Sequence, residues 1–394
     1  MKDKEVKKLI EREERRQNEV VNLIASENVV SDDVREALGS VFTNKYAEGY
    51  SKLRYYAGNE VVDDLETLTK ERALALFKLS PKEWAVNVQA YSGTPANLAV
   101  LWALVPLGEK VMGMALPQGG HLSHGHIASA TGKLWKQVPY GLDKKTERLD
   151  YKRLAETARR EKPKLVIAGF TAYSRAIEWK KFREIADAGN AILLADLSHT
   201  AGIVAGGALA SPFPHADVVM TTTHKTLRGP RAALIFSRER YAKAIDRAVF
   251  PGLQGGPHAN TIAGVAVALA EASKPAFARY ARQVVRNAQA LAGELEKRGW
   301  HVISRGTDTH LFLLDTAAHG ITGKAASDAL EAVGIIVNKN TLPFDTRSPQ
   351  DPSGIRLGTP AVTSRGMKER DMKQIAHRID GALRRAIDAL KKKK

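Results

Sequence analysis

The sequence predicts an α/β fold: a mostly parallel sheet flanked by helices, followed by a smaller C-terminal α+β unit. Three observations carry that prediction. Short, near-continuous apolar runs alternate with helical patterns through the first two thirds of the chain, as strands covered on both faces do. After Pro257 the pattern changes to long helices separated by short strands. The 394 residues, 44% hydrophobic and 26% charged, have the composition of a folded chain with room for two or three domains.

Residues 5 to 18 read as a charged helical arm with little apolar face. Val61, Val62, Leu65, Leu68, Ala73, Leu76 and Phe77 keep helical spacing, so a packed helix is expected there. Expected strands are Ala85–Ala90, Lys110–Ala115, Leu165–Phe170, Ala191–Ala195, Val218–Thr222 and Ala232–Phe236. Expected helices between them are Pro95–Leu104, Tyr151–Arg160, Glu178–Ala188 and Arg238–Ala248. A small-residue helix follows from Asn260 to Glu271. A second helix carries Phe277, Tyr280, Val284, Ala288, Leu291 and Leu295 on one stripe. Short strands at Leu311–Leu314, Ile335–Val337 and Ile355–Leu357 alternate with helices at Gly323–Val333 and Met367–Leu390. The expected division is an N-terminal arm (1–40), a large domain (41–272) and a small domain (273–394). The tail Lys391–Lys394 reads as a frayed end.

Lysine and arginine number 60 against 43 acidic residues, a formal charge of +17. No nucleic-acid motif accompanies the excess, so a solvated basic surface or a polyanionic small-molecule substrate is expected, not a nucleic-acid partner. There is no cysteine, which excludes disulfides, thiol catalysis, cysteine-ligated zinc and iron–sulfur clusters. The apolar stretch Thr261–Ala270 meets Glu271 well short of the ~20 residues a membrane span needs. The opening MKDKEVKKLIEREERR has no apolar signal core, so a cytoplasmic protein is expected.

In an open α/β sheet, ligands sit beyond the carboxyl ends of the strands. Asp196 closes one apolar run, and His199 follows it. The stretch DVVMTTTHKTLRGPRAALIF sets His224, Lys225, Arg228 and Arg231 between two apolar strands. A lysine there is either solvated or held in a cleft, and a desolvated lysine can form a Schiff base. Ser92-Gly93-Thr94 opens a helix after a strand, where hydroxyls and free N–H groups either cap the helix or hold a phosphate. GGHLSHGH (119–126) holds three histidines but no acidic residue, so no metal is expected and a ring stacked on a flat cofactor is the better use. Arg356 in GIRLG is either solvated or a bidentate clamp for a carboxylate. Together these suggest a cofactor with a phosphate, a protonatable ring nitrogen and an aldehyde, the features of pyridoxal phosphate.

LIASEN (23–28), TNKYAEGY (43–50), RYYAGNE (54–60), YSGTPAN (91–97), GGHLSHG (119–125), TTTHKTLRGPR (221–231), VFPGLQGGP (249–257) and SGIRLGTPAVTSRG (353–366) resemble serine hydroxymethyltransferase, in order and over nearly the whole chain. The resemblance implies a fold-type I pyridoxal-phosphate enzyme with a seven-stranded sheet. It implies a homodimer or dimer of dimers with shared active sites, moving the hydroxymethyl carbon of serine to tetrahydrofolate and leaving glycine. It makes Lys225 the Schiff-base lysine carrying pyridoxal 5'-phosphate, Asp196 the partner of the ring nitrogen and His121 the stacking ring, with His224 beside them in the catalytic set. Thr171, in place of the family's serine, and His199 would approach the ring's phenolic oxygen. Ser92, Gly93 and Thr94 would hold the phosphate, with Tyr46 and Gly256 from the neighbouring subunit. Arg356 and Ser26 would bind the substrate carboxylate, Glu48 from the neighbour would exchange protons, and Tyr55 and Tyr56 would line the pocket.

Leu116, Gly120, Leu122 and Asn340 match folate-contacting positions. Two nearby segments depart from the family pattern: Ser348-Pro349-Gln350 stands for Ser-Pro-Phe, and His126–Lys133 stands for Ser-Pro-Val-Asn-Phe-Ser-Gly-Lys. A modified pterin as acceptor, or a pterin-independent aldolase or transaldolase acting on β-hydroxy amino acids, is therefore the alternative. A basic RNA-binding protein that has lost catalysis is opposed by the presence of Lys225, Asp196 and Arg356.

Overall fold

The computed structural model describes residues 1–392. Seven strands form the large sheet: β1 (Trp84–Asn87), β2 (Lys110–Met114), β3 (Lys136–Tyr140), β4 (Leu165–Ala168), β5 (Ile192–Asp196), β6 (Val218–Thr222) and β7 (Ala233–Arg238). Their order is β1-β7-β6-β5-β4-β2-β3. Only β7 runs against the rest, antiparallel to both β1 and β6. The centre is buried on both faces, and the clusters show it. Val166 and Ala168 of β4 join one apolar cluster, while Leu165 and Ile167 join the other. That two-sided burial is why these strands read as apolar runs without alternation.

Strand β3 is absent from the sequence expectations. It reads Lys-Gln-Val-Pro-Tyr, with Val138 and Tyr140 buried and Lys136 and Pro139 exposed. It lies at the sheet edge, where a proline's missing N–H is tolerated, and its mixed composition hid it. β1 also ends earlier than expected: past Asn87 the chain turns toward the site, and Gln89 donates through Nε2 to Glu66 at 2.9 Å.

The helices used below are α1 (Lys4–Glu19), α2 (Glu60–Leu76), α3 (Gly93–Leu104), α4 (Ala259–Ala272), α5 (Pro275–Lys297) and α6 (Glu369–Lys391). α1 buries no residue, as its charged sequence implies. α5 links two cores: Phe277, Tyr280 and Val284 pack in one, Leu291, Ala292 and Leu295 in another. The second core covers a four-stranded antiparallel sheet of β8 (His301–Val302), β9 (Leu311–Asp315), β10 (Asn338–Asn340) and β11 (Gly354–Gly358), in the order β8-β9-β11-β10.

The expected strand Ile335–Val337 is divided. Ile335–Ile336 pairs in parallel with Val21–Asn22, and the four-stranded sheet takes up the chain at Asn338. The segment after α1 is thereby woven into the C-terminal part, with Leu23 fully buried. Gly358 permits this approach, since a Cβ there would stand 2.5 Å from the Ala25 Cα. The lysine tail departs from expectation at its start, because α6 continues through Lys391; Lys393 and Lys394 lie outside the described residues. Among the described residues no helix is long and apolar enough to cross a membrane.

Candidate active site

A cavity of about 230 Å³ opens beyond the carboxyl ends of β4, β5 and β6. The N-terminus of α3 supplies Ser92, Gly93 and Thr94, and the loop after β2 supplies His121 and His124. The chain after β4 adds Phe170 and Thr171. β5 ends in Asp196, followed by Ser198 and His199, and β6 ends in Thr222, followed by His224 and Lys225. Arg356 reaches in from β11, and Ser26 from the segment that crosses it. Segments hundreds of residues apart thus meet at one sheet edge.

Asp196 is held by three donors. Its Oδ2 accepts from Asn97 Nδ2 and His124 Nε2, each at 2.9 Å, and its Oδ1 accepts from the Ser198 N–H at 3.0 Å. Burial pushes this carboxyl up, but the bonds from His124, Ser198 and Asn97 outweigh it and hold the group well below the usual carboxylate range. It is therefore an anion at neutral pH.

Lys225 donates to Thr222 Oγ1 at 2.9 Å, and that hydroxyl donates on to the Ser198 carbonyl at 3.2 Å. Burial lowers the amine to about 8; the charge of Asp196 opposes the shift, and Arg356 and Arg231 add to it. A large fraction is then neutral and nucleophilic near pH 8.

His121 Nδ1 accepts the Ser123 N–H at 3.2 Å and lies 2.8 Å from Ser123 Oγ. That hydroxyl accepts from Asn97 Nδ2 at 2.9 Å. Burial and His124 lower His121 to about 4, so the ring is neutral. Burial likewise lowers His224 to about 3, assisted by Lys225 and Arg231, and holds His199 well below its ordinary value. His199 Nδ1 lies 3.1 Å from His310 Nε2.

Arg356 is 6% exposed. It donates through Nη1 to the Thr171 carbonyl at 2.7 Å and through Nε to Asn338 Oδ1 at 3.1 Å. Burial lowers it to about 10, so it stays charged at neutral pH. Among the described residues no carboxylate forms an ion pair with it. A buried guanidinium bonded only to neutral groups is short of a counter-anion.

Eleven sequence-predicted residues line the cavity: Ser26, Ser92, Gly93, Thr94, His121, Thr171, Asp196, His199, His224, Lys225 and Arg356. Nine others do not, within one chain. The exposed Tyr46, Tyr55 and Tyr56 and the half-buried Glu48 form a cluster of their own, with Tyr46 Oη donating to Glu48 Oε1 at 3.1 Å and the Tyr46 and Tyr56 rings 5.0 Å apart. Gly256 backs onto Glu48, and its carbonyl accepts from Tyr91 Oη at 2.6 Å. Leu116, Gly120, Leu122 and Asn340 also lie outside the cavity lining.

Sequence reasoning missed Asn97 and His124. Asn97 looks like an ordinary polar residue of a helix's first turns, and the histidine-rich loop gives no sign of which ring is buried. The only signal is indirect: a buried anion such as Asp196 needs more than one donor.

A sequence profile described as serine hydroxymethyltransferase matches residues 1–379. The chain is 55% identical over 378 residues to the serine hydroxymethyltransferase of Acidothermus cellulolyticus, covering 96% of this chain and 88% of that protein. It is 51% identical over 378 residues to that of Desulfotalea psychrophila, with the same coverage, and 50% identical over 386 residues to that of Koribacter versatilis, covering 98% and 90%. The chain belongs to the serine hydroxymethyltransferase family. Its sheet and helices are accordingly those of a fold-type I, pyridoxal-phosphate-dependent transferase.

The cavity of this family member suits that cofactor. Ser92 occupies the N-cap position of α3, yet its hydroxyl makes no capping bond, which leaves it free along with the helix's first N–H groups. Gly93 lies so close to β6 that a Cβ would stand 2.7 Å from Thr222 Cγ2, so a bare backbone faces the cavity there. A fixed anion at Asp196 and a partly deprotonated amine at Lys225 complete the donor set.

Proposed function

We propose that this cavity is the active site of a serine hydroxymethyltransferase that interconverts serine and glycine. The observation that carries the reading is the set of charges: an ionised buried carboxylate, a lysine lowered to about 8, and a buried arginine without a protein counter-anion, around one cavity. The names of the relatives support hydroxymethyl transfer, and none of those reported names an aldolase.

Pyridoxal phosphate, when bound, supplies an electron sink for negative charge developing at the α-carbon of the amino acid. In this reading Lys225 would hold it through Nζ, an amine that burial lowers to about 8. The Thr222 hydroxyl holds Nζ in place. Asp196 keeps a proton on the ring nitrogen, and Asn97, His124 and Ser198 hold Asp196 ionised for that task. Ser92, Gly93 and Thr94 bind the phosphate. His121, neutral and oriented through Ser123, would stack on the ring. His199 and Thr171 would approach the phenolic oxygen, and His224 lines the cavity beside Lys225. Arg356, with Ser26, clamps the substrate carboxylate in two parallel bonds.

Glu48, Tyr46, Tyr55, Tyr56 and Gly256 lie outside this chain's own cavity, which supports a homodimer in which each subunit completes its neighbour's site. Leu116, Gly120, Leu122 and Asn340 would contact tetrahydrofolate or a modified pterin. The enzyme would work in the cytoplasm.

Glycine formation from serine, measured with and without tetrahydrofolate, tests the reading. Formation that depends on tetrahydrofolate is expected. Equal rates with and without it would transfer the activity to the pterin-independent aldolase class. No glycine under either condition would overturn the assignment.

A further inference from the structure

A second concavity, of about 440 Å³, lies between α5 and the start of α6. Its rim carries Arg279, Arg282 and Arg286 from α5, with Lys368 opposite, all exposed. Only one cation of the four is neutralised. Glu369 accepts from Arg286 Nε at 2.9 Å and from Gln283 Nε2 at 2.9 Å, which uses both its oxygens. Asp371, the other acid of the first turn of α6, accepts the Lys368 backbone N–H at 2.8 Å and does not line the groove. Among the described residues Arg279, Arg282 and Lys368 have no acidic partner, whereas Lys297 at the end of α5 and Arg298 just beyond it both pair with Glu294.

The spacing sharpens the point. Arg279, Arg282 and Arg286 are three and four residues apart, so their side chains share one face of α5, where like charges repel. A concave surface lined by one sign of charge concentrates its field on the groove. From Arg279 to Arg286 the helix rises about 10 Å, too far for a single phosphate to bridge and suited to several anionic groups in a row. Guanidinium forks match such groups geometrically. The groove's one aromatic, Tyr280, is buried and engaged with Asn28 at 2.7 Å, so no ring is presented for a nucleobase to stack on.

We propose that this groove binds a short oligophosphate chain, at a site separate from the cavity that takes the cofactor. The proposal does not depend on the reading of that cavity. The experiment is calorimetric titration of sodium tripolyphosphate at low ionic strength into protein saturated with pyridoxal phosphate, so that the α3 phosphate site is already filled. Saturable binding is expected in the wild type. It should weaken at least tenfold in Arg279→Glu/Arg282→Glu and by less than twofold in Arg378→Glu/Arg385→Glu, which removes equal charge elsewhere on the surface. Both pairs are exposed, and thermal unfolding checks that each variant folds; Arg279→Gln/Arg282→Gln serves if the reversal does not. No binding by the wild type, or equal losses in both variants, would overturn the proposal. So would a single-stranded oligonucleotide that binds through Arg279 and Arg282 where tripolyphosphate does not, because the groove would then be a nucleic-acid surface.

Discussion

Replacing Asp196 by asparagine tests the centre of the site with a change of one atom. In the wild type Oδ2 takes two donors, Asn97 and His124, and Oδ1 takes one, the Ser198 N–H. An amide can accept at one position only. The cheaper orientation keeps its oxygen at the Oδ2 position and sets its NH2 against the Ser198 N–H. One buried donor is then unpaired, a loss of about 1–3 kcal/mol of stability. The wild type has a linked pH dependence. Its carboxyl is held well below its ordinary value, so its stabilisation is fully present above the carboxylate range of the unfolded chain and is lost as pH falls through that range and below it. The variant has no such dependence.

Catalysis should suffer more than folding. The neutral amide cannot hold a proton on the ring nitrogen as a carboxylate does, a loss of about 2–4 kcal/mol in the transition state. That corresponds to roughly 30- to 1000-fold in turnover. The charge on Asp196 also raises Lys225, so the amine should titrate below about 8 in the variant. The assays are steady-state glycine formation, the exchange rate of the glycine α-proton, and cofactor content after dialysis. Retained cofactor with turnover and exchange both depressed is expected. An exchange rate equal to wild type would remove Asp196 from the chemistry.

Other expectations follow from the same geometry. In cofactor-free protein, covalent capture of pyridoxal phosphate should accelerate with pH to a plateau with its midpoint near 8, and stability should rise between 8 and 10.5, where only the unfolded chain keeps the lysine proton; a capture midpoint near 10.5 would show that Lys225 is solvated. Lys225→Arg should bind the cofactor non-covalently at most and give no productive turnover, and activity within a few-fold of wild type would rule out the proposed anchor. Arg356→Lys should raise KM for serine roughly 10- to 100-fold, because a point charge cannot make two parallel bonds; an unchanged KM would place the carboxylate elsewhere. Mixing inactive Glu48→Gln and Lys225→Ala subunits should restore activity in hybrids, since one of the two sites then has both residues intact; proven exchange without recovery would mean that each site is built from one chain.

The sequence by itself determined the order of elements wherever burial is two-sided. Leu165–Ala168 and residues 218–220 are apolar throughout because neighbours cover both faces, and that pattern needs no knowledge of the partners. It also singled out Asp196 at the end of an apolar run, whereas Lys225 and Arg356 read as either solvated or held in a cleft until the family motifs around them were recognised. Tertiary structure decided the rest. β3 is an edge strand with one buried face and a proline, so its five residues look like a loop until Lys110–Met114 pairs with them. Whether Ser92 caps its helix or leaves its hydroxyl free depends on a side-chain rotation that composition does not encode. His121 and His124 are chemically identical and three residues apart. Only the packing of their loop turns His124 onto Asp196, 72 residues away, and so holds that carboxylate ionised. Patterns along a chain report burial, which is local and repeats with the period of the helix or strand. Which donor meets which acceptor depends on contacts between distant segments, and those exist only once the chain has folded.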